Sequence, residues 1–396
     1  MRDVVIVEAA RTAVGRKNGT LAHTHPIDLL GPVQTAVLER AGVDPTEVGQ
    51  VVGGCIDQVG AQSGNITRNA WLAAGLPQEV AACTVDSACG SSQQALNLAV
   101  SLVGSGAEDA VLACGVENMS MVPLGANAMD GAKAGHGKPV NRTYAAHYEY
   151  TSQFEGAERI ATAYGISRAD ADELGLESQR RARVAIDEGR FETQIVPIEA
   201  VEVDADGTRT GTTTTFTVDE APRDTTAEAL AALEPVARAD GIHTAGSASK
   251  IADGASAVLV MSADRAAALG LRPRAQVLST CLVGCDPVLM LEGPIPATER
   301  LLSRTGLAMD DIDLVEINEA FASVVLAWER TVGADRARTN PNGGAIALGH
   351  PLGATGCLLT TKAVHELERA DGEHALVTMC CGGGLGTGTL LRRLER

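Results

Sequence analysis

Residues 86–95 set a single cysteine, Cys89, among small residues, with the β-branched pair Thr84 and Val85 leading in. Ala95, Leu98, Ala99, Leu102 and Val103 follow at three- and four-residue steps, the period of one helix face. The pattern predicts a strand, a tight turn and a buried helix, with Cys89 at the turn. A thiol there faces unpaired backbone N–H groups and the positive end of the helix dipole. Both favour thiolate, the nucleophilic form. The alternative is a small buried cysteine used for packing.

Three other groups have the types that such a nucleophile needs. His350 stands between Gly349 and Pro351 in a glycine-rich run over 342–356. Proline suits a first helical turn, which predicts a cap position for His350, exposed on one side and able to act as a general base. The alternative is a packed or surface histidine. Cys380 ends an apolar run over 375–379 and precedes the glycines 382–384. Those glycines leave N–H groups uncovered, able to hold an oxyanion, and a cysteine beside them can move protons. The neighbouring Cys381 reads as filler. Asn318 opens the run Asn318, Glu319, Ala320, Phe321 directly after an apolar strand over 314–317.

Around these residues, apolar runs at 4–7, 48–52 and 110–113 read as buried strands, and 27–41 as a helix stopping before Gly42. Alternating strands and helices argue for an α/β chain with a mostly parallel sheet covered on both faces. Periodicity fails over 122–140, a long loop of functional or oligomer-contact type. Helices are expected at 151–160 and at 169–188, the latter capped by Ser167, with Glu177 and Arg181 four apart. A Thr-rich alternating stretch over 200–218 reads as a hairpin, followed by a short helix at 227–233. Residues 120–248 thus read as an insertion of α+β texture, and the α/β rhythm resumes at 256–261.

The chain also repeats itself. Residues 41–48 resemble 305–312, and each stretch precedes a short apolar strand. At a nearly equal offset Cys89 falls opposite His350, each at a turn before a small-residue helix. Two copies of one α/β unit related by a pseudo-two-fold would bring both turns to one cleft.

Composition narrows the function classes. With 32 Lys+Arg against 50 Asp+Glu the net charge is −18, and no basic patch suits nucleic acid. No run approaches the roughly 18 apolar residues of a membrane span, and the first sixteen residues lack a secretory core and cleavage site. The nine cysteines include no CxxC pair or Cys/His cluster of ligand spacing, which argues against zinc and for reduced thiols in a cytoplasmic protein.

Taken in order, Arg11 to Gly15, Cys89, the Gly115–Ser120 run, Asn318 to Phe321, Gly349 to Pro351 and Cys380 to Gly382 make the sequence resemble the thiolase family, the 3-ketoacyl-CoA thiolases and acetyl-CoA acetyltransferases. The resemblance covers essentially the whole chain. It implies two pseudo-equivalent βαβαβαββ halves in five layers, αβαβα, with an inserted α+β loop domain. The corresponding division is 1–120 plus 249–272, the insert 121–248, and 273–396. It implies that Cys89 becomes acylated, that His350 activates it, and that Cys380 protonates or deprotonates the α-carbon of acetyl-CoA. Asn318 matches a water-holding residue which, with His350, makes one oxyanion hole; the N–H groups of Cys89 and Gly382 match the other. Ser249 and the segment Arg223, Asp224, Thr225 match positions that touch coenzyme A.

The implied reaction is thiolytic cleavage of a 3-ketoacyl-CoA to acetyl-CoA or propionyl-CoA and a shortened acyl-CoA, with coenzyme A as co-substrate and no bound cofactor or metal. Condensation of two acetyl-CoA uses the same residues run backward, and an inactive acyl-CoA-binding subunit is the reading of a different class. The resemblance also implies a homodimer or homotetramer. The chain departs from the family at Asp86 and Ser92, and at Ser247 and Lys250, which replace an Asn and a Gly. In place of a His-Met pair that narrows the acyl pocket in acetoacetyl-CoA-specific members it has Ser152, Gln153, Phe154 and Glu155. These features imply a degradative thiolase of bulky, branched or steroid-derived acyl groups in lipid breakdown.

Overall fold

The structure, a computed structural model, describes residues 2–204 and 208–395. The chain opens with β1 (Val4–Thr12), β2 (Gly15–Arg16), α1 (Pro26–Ala41), β3 (Gln50–Gly54), α2 (Ile66–Ala73), β4 (Ala81–Val85), α3 (Ser91–Ser105) and β5 (Ala110–Asn118). Both β1 and β5 run well past their apolar stretches. They do so because their polar residues have partners in the interior: Arg11 pairs with Asp219 through two bonds of 2.7 and 2.9 Å, and Glu117 and Asn118 accept and donate within a buried network. Paired this way, polar side chains can be buried in a central strand.

Then come α4 (Ala126–Lys133), α5 (Arg142–Ala145), α6 (Gln153–Ala163), α7 (Arg168–Asp187), β6 (Ile195–Val196), β7 (Ile198–Val203), β8 (Arg209–Phe216) and α8 (Ala227–Ala231). Ser167 caps α7 in a reciprocal box with Asp170, and Arg181 reaches Glu177 at 2.6 Å. The strands of the expected hairpin pair, and its turn at 205–207 lies outside the described residues. The stretch read as a periodless loop, 122–140, contains one short helix, α4, and a second, α5, follows directly after it. They are largely exposed, so no apolar stripe marks them; Asn141 caps the second by accepting from Thr143 and Tyr144. This segment shares the core of the first half: Ala182, Ala185, Phe191, Ile195 and Phe216 are buried with Val5, Leu29 and Leu259, and β6 pairs with β1.

The remainder is β9 (Ala252–Ser262), α9 (Ala263–Ala268), β10 (Ala275–Gly284), α10 (Pro294–Thr305), β11 (Leu314–Ile317), α11 (Ala322–Val332), α12 (Ala345–Leu348), α13 (Thr355–Ala370), β12 (His374–Cys381) and β13 (Leu385–Arg393). The strands form the path β11-β12-β13-β10-β1-β9-β5-β3-β4, joined at its centre by a short antiparallel pairing of β1 with β10. The expected mostly parallel sheet is instead mixed: β11-β12, β5-β3 and β3-β4 are parallel, while β9 and β13 run antiparallel to both of their neighbours on the path. The path reads the same from both ends. β10, β13, β12 and β11 mirror β1, β9, β5 and β3, and Thr339 bridges β11 in parallel as β4 pairs with β3. The repeat in the sequence is this pseudo-two-fold: both copies form a short 3-10 turn, Pro45–Glu47 and Met309–Asp311, before equivalent strands.

α3 and α13 occupy the middle layer. They pack on each other and on strands of both halves, while α1 and α2 cover one outer face and α10 and α11 the other. The two central helices meet at their N-termini, where a Cβ on Gly356 would lie 2.1 Å from the backbone nitrogen of Gln93. Only glycine allows that approach, and it brings the turn before α3 next to the turn before α13.

Candidate active site

Cys89 sits in the turn between β4 and α3. Asp86 Oδ1 accepts from Ala88 N–H (2.8 Å), and Ser91 Oγ accepts from Ser87 N–H (3.0 Å) while donating to Ala88 O (2.6 Å). These bonds hold Ala88 at φ +50°, a conformation that costs a non-glycine residue energy, and so aim the next residue. Cys89 is buried and packs with Met379 and Cys381 of β12, the strand that leads into Gly382. Gly382 follows β12, and Gly383 and Gly384 turn the chain into β13 at φ +81° and +78°. Cys380 lies close enough for a charge on Cys89 to be felt there.

The expectation of a resting thiolate is corrected by burial. Desolvation pushes the Cys89 thiol up to about 11, and the charges of Glu117 and Asp86 push the same way. The Gly382 N–H and its own N–H pull it down without prevailing. Cys380 is raised well above the ordinary thiol value, by burial first and Cys89 second.

His350 was expected to be half open at a helix cap. It is instead buried, 3% exposed, and a 3-10 turn (Leu352–Ala354) separates it from α13. Burial lowers its imidazole to about 3, so the ring is neutral. Its Nδ1 lies 2.7 Å from Thr355 Oγ1 and its Nε2 lies 3.2 Å from Asn318 Nδ2. Asn318 Oδ1 is buried with no hydrogen-bond partner among the described residues. Leu352 carries the His350 turn to the sulfur cluster, packing with Cys89, Met379 and Cys381.

The remaining expected residues lie around this core. Ser249 donates its N–H to Ala320 O (2.9 Å), two residues past Asn318. Gln153 is half-buried in the first turn of α6, and its neighbour Phe154 meets the Phe321 ring edge-on at 5.5 Å. Arg223 is exposed and its N–H is held by Gln179 Oε1 (2.8 Å); Thr225 is half-buried. Asp224 turns to solvent, 90% exposed, 3.4 Å from Arg183, and is not brought to the sulfur cluster.

Four further residues shape the site without a role assigned to them from the sequence. Thr355 holds the imidazole from the far side. Lys250 accepts the His350 N–H at its carbonyl (3.0 Å). Glu117 accepts from the N–H groups of Ile56 (3.0 Å), Asp57 (3.2 Å) and Gly353 (3.0 Å), joining the His350 turn to the first half. Glu319 accepts from Ser178, Asn340 and Ile346 and orders the segment that leads to His350. A carboxylate inside an apolar strand, as at Glu117, was the one available signal. A cavity of about 740 Å³ between α1, α2 and residues 196–199 includes none of these residues in its wall.

Comparison with known proteins shows the family of the chain. Residues 4–264 match the thiolase N-terminal domain and 271–393 the thiolase C-terminal domain. A steroid 3-ketoacyl-CoA thiolase of Mycobacterium tuberculosis is 46% identical, covering 100% of this chain and 95% of the relative. An acetyl-CoA acetyltransferase of Pseudomonas aeruginosa is 42% identical, covering 99% of this chain and 100% of the relative. The crystal structure of human mitochondrial 3-ketoacyl-CoA thiolase superposes with a TM-score of 0.89 at 36% identity, covering 100% of this chain and 99% of that one. With both domains matched in order along nearly its whole length, the chain belongs to the thiolase family and is an acyltransferase with the thiolase fold.

Proposed function

We propose that this protein cleaves the C2–C3 bond of a 3-ketoacyl-CoA, using coenzyme A as co-substrate and an acyl-Cys89 intermediate. The observation that carries the reading is the packing of Cys89 against Leu352, two residues past His350, and against Met379 and Cys381, of which the latter adjoins Cys380. Cys89 sulfur adds to the C3 ketone as its proton passes to His350. The C2–C3 electron pair becomes the enolate of acetyl-CoA, and the Cys380 S–H protonates its carbon. Acetyl-CoA leaves, and the thiol of a second coenzyme A, losing its proton to the Cys380 thiolate, attacks the acyl-Cys89 thioester. The shortened acyl-CoA departs and Cys89 regains its proton from His350.

Electrostatics support this sequence. Burial keeps Cys89 and His350 neutral at rest, so thiolate and imidazolium form together with the attack and neither charge is left unpaired in a dry site. The N–H groups of Cys89 and Gly382 are assigned to one oxyanion, which takes them up once the sulfur is acylated. The second hole is assigned to His350 and to a water held by Asn318, whose unpaired Oδ1 suits that role. Ser249, Arg223, Asp224, Thr225 and Gln153 are assigned to the coenzyme A and acyl side.

The acyl group is assigned to the bulky class, branched or steroid-derived, in lipid degradation. The relative whose name carries a steroid substrate supports this, as does Phe154, 38% exposed against Phe321. The relatives named acetyl-CoA acetyltransferase support condensation of two acetyl-CoA as a second reading. We further assign the protein to the cytoplasm as a homodimer or homotetramer; among the described residues no helix is long and apolar enough to cross a membrane. The division 1–120 plus 249–272, 121–248 and 273–396 remains our proposed domain scheme.

Turnover on 3-ketoacyl-CoAs of graded size, from acetoacetyl-CoA upward, tests the substrate class. The expected result is a higher kcat/KM for the large acyl groups. Acetoacetyl-CoA cleaved far faster than any longer substrate would overturn it, and a mass-labelled Cys89 absent from acid-quenched turnover would overturn the intermediate.

A further inference from the structure

The segment leading from β8 toward α8 lies beside the turn that carries His350, and two side chains tie them together. Lys250 Nζ donates to Ala221 O (2.6 Å) and to Ala347 O (3.2 Å). Gln179, on α7, accepts from Arg223 N–H (2.8 Å) and donates to Ile346 O (3.2 Å). Ile346 and Ala347 are the inner residues of α12, a single turn whose later carbonyls have no acceptor role within the helix. An ammonium on such carbonyls also meets the negative end of the turn.

The main chain of Lys250 completes the link. Its carbonyl accepts the His350 N–H (3.0 Å), and its own N–H donates to Ala345 O (3.4 Å). One residue therefore touches the 221–225 segment through its side chain, α12 through both, and the His350 turn through its backbone. Ser249 precedes it in the chain. The Lys250 ammonium is well buried and is pushed down to about 8, by desolvation first and then by the charge of Arg223. Its oxygen partners are two backbone carbonyls, so what it secures is main-chain position.

We infer that Lys250 and Gln179 form a two-point brace that makes the placement of His350 depend on the seating of residues 221–225, so that contact with coenzyme A and alignment of the base are set together. Both are positioning residues, since neither touches the reacting sulfur. The inference rests on the proposed assignment of Arg223 and Thr225 to the coenzyme A side. Coupling of this kind is reciprocal, so breaking the brace moves both properties.

The test uses the full-length enzyme with acetoacetyl-CoA and 3-ketooctanoyl-CoA, titrating coenzyme A. Lys250→Met should raise KM for coenzyme A and lower kcat, each about 5- to 30-fold, as expected of sub-ångström misplacement. Gln179→Leu should shift both in the same direction, and Lys250→Arg, which keeps a charged donor, should recover part of each loss. The double variant should lose less than the product of the single losses, because the rungs share one strap. A merely structural role would lower Tm and leave kcat and KM alone. Either parameter within about twofold of wild type in Lys250→Met overturns the brace; if that variant does not fold, Gln179→Leu decides by the same criterion. A wild-type enzyme that releases acetyl-CoA from no 3-ketoacyl-CoA overturns the proposed function instead, which separates the two failures.

Discussion

The imidazole of His350 and the hydroxyl of Thr355 meet at 2.7 Å, and the Thr355 proton is already committed to Pro351 O at 2.9 Å. A hydroxyl has one proton to give. His350 Nδ1 must therefore carry the hydrogen, which leaves Nε2 with its lone pair as the basic atom. Thr355→Val keeps the shape and removes the acceptor, freeing the ring to change tautomer. The expected outcome is a fall in kcat of about 10- to 100-fold, from about 1–3 kcal/mol of lost orientation, with Thr355→Ser close to wild type. Steady-state kinetics of the two variants check this, and equal rates would remove Thr355 from the mechanism.

Cys89→Ala, His350→Ala and Cys380→Ala should each lower the thiolysis rate by ~10³-fold or more, since each removes the nucleophile, the base or the carbon acid of the proposed reaction. The three differ in what they leave behind. Cys380→Ala should still form acyl-Cys89 slowly, which intact-mass measurement after quenching detects, and Cys89→Ala should form none. Activity above a tenth of wild type in any one variant refutes its role.

The raised Cys89 thiol predicts a specific pH response. Below a pKa of about 11 the thiolate fraction grows tenfold per pH unit. Iodoacetamide labelling of Cys89, followed by peptide mass between pH 7 and 10, should climb with nearly that slope. A plateau below pH 8 would mean that the helix terminus and the Gly382 N–H outweigh burial.

Lys362 and Glu316 form a fully buried pair at 2.7 Å between α13 and β11, and Lys362 also donates to Gly343 O (2.7 Å). Burial raises Glu316 to about 7, with Lys362 opposing. A carboxyl raised in the folded state binds its proton more tightly there than when unfolded. Its contribution to stability is therefore present below about 4.5 and lost as pH rises through about 7. Lys362→Met leaves a lone carboxylate above that pH and should cost about 3–5 kcal/mol at pH 8, with a smaller loss at pH 6, where Glu316 takes up a proton. Urea unfolding at both pH values checks the sign; equal losses would show that Glu316 does not titrate in this range.

Much of this protein can be read along the chain because its signals are local. The strand-turn-helix around Cys89, the capped helix after Ser167 and the repeat that pairs residues 41–48 with 305–312 all follow from short-range periodicity and cap chemistry. The motifs around Asn318, His350 and Cys380 carry the family as well, because reactive side chains need fixed neighbours in sequence. Two things needed the tertiary structure. The protonation of Cys89 and His350 is set by burial, which comes from residues distant in sequence closing over them; the helix terminus, read locally, favours a Cys89 thiolate that burial opposes. Among the partners that orient the site, Thr355 is only five residues from His350, but Lys250, Glu117 and Gln179 belong to segments far away in sequence that the fold brings together, and a hydrogen bond across such a distance leaves no periodic trace in the chain.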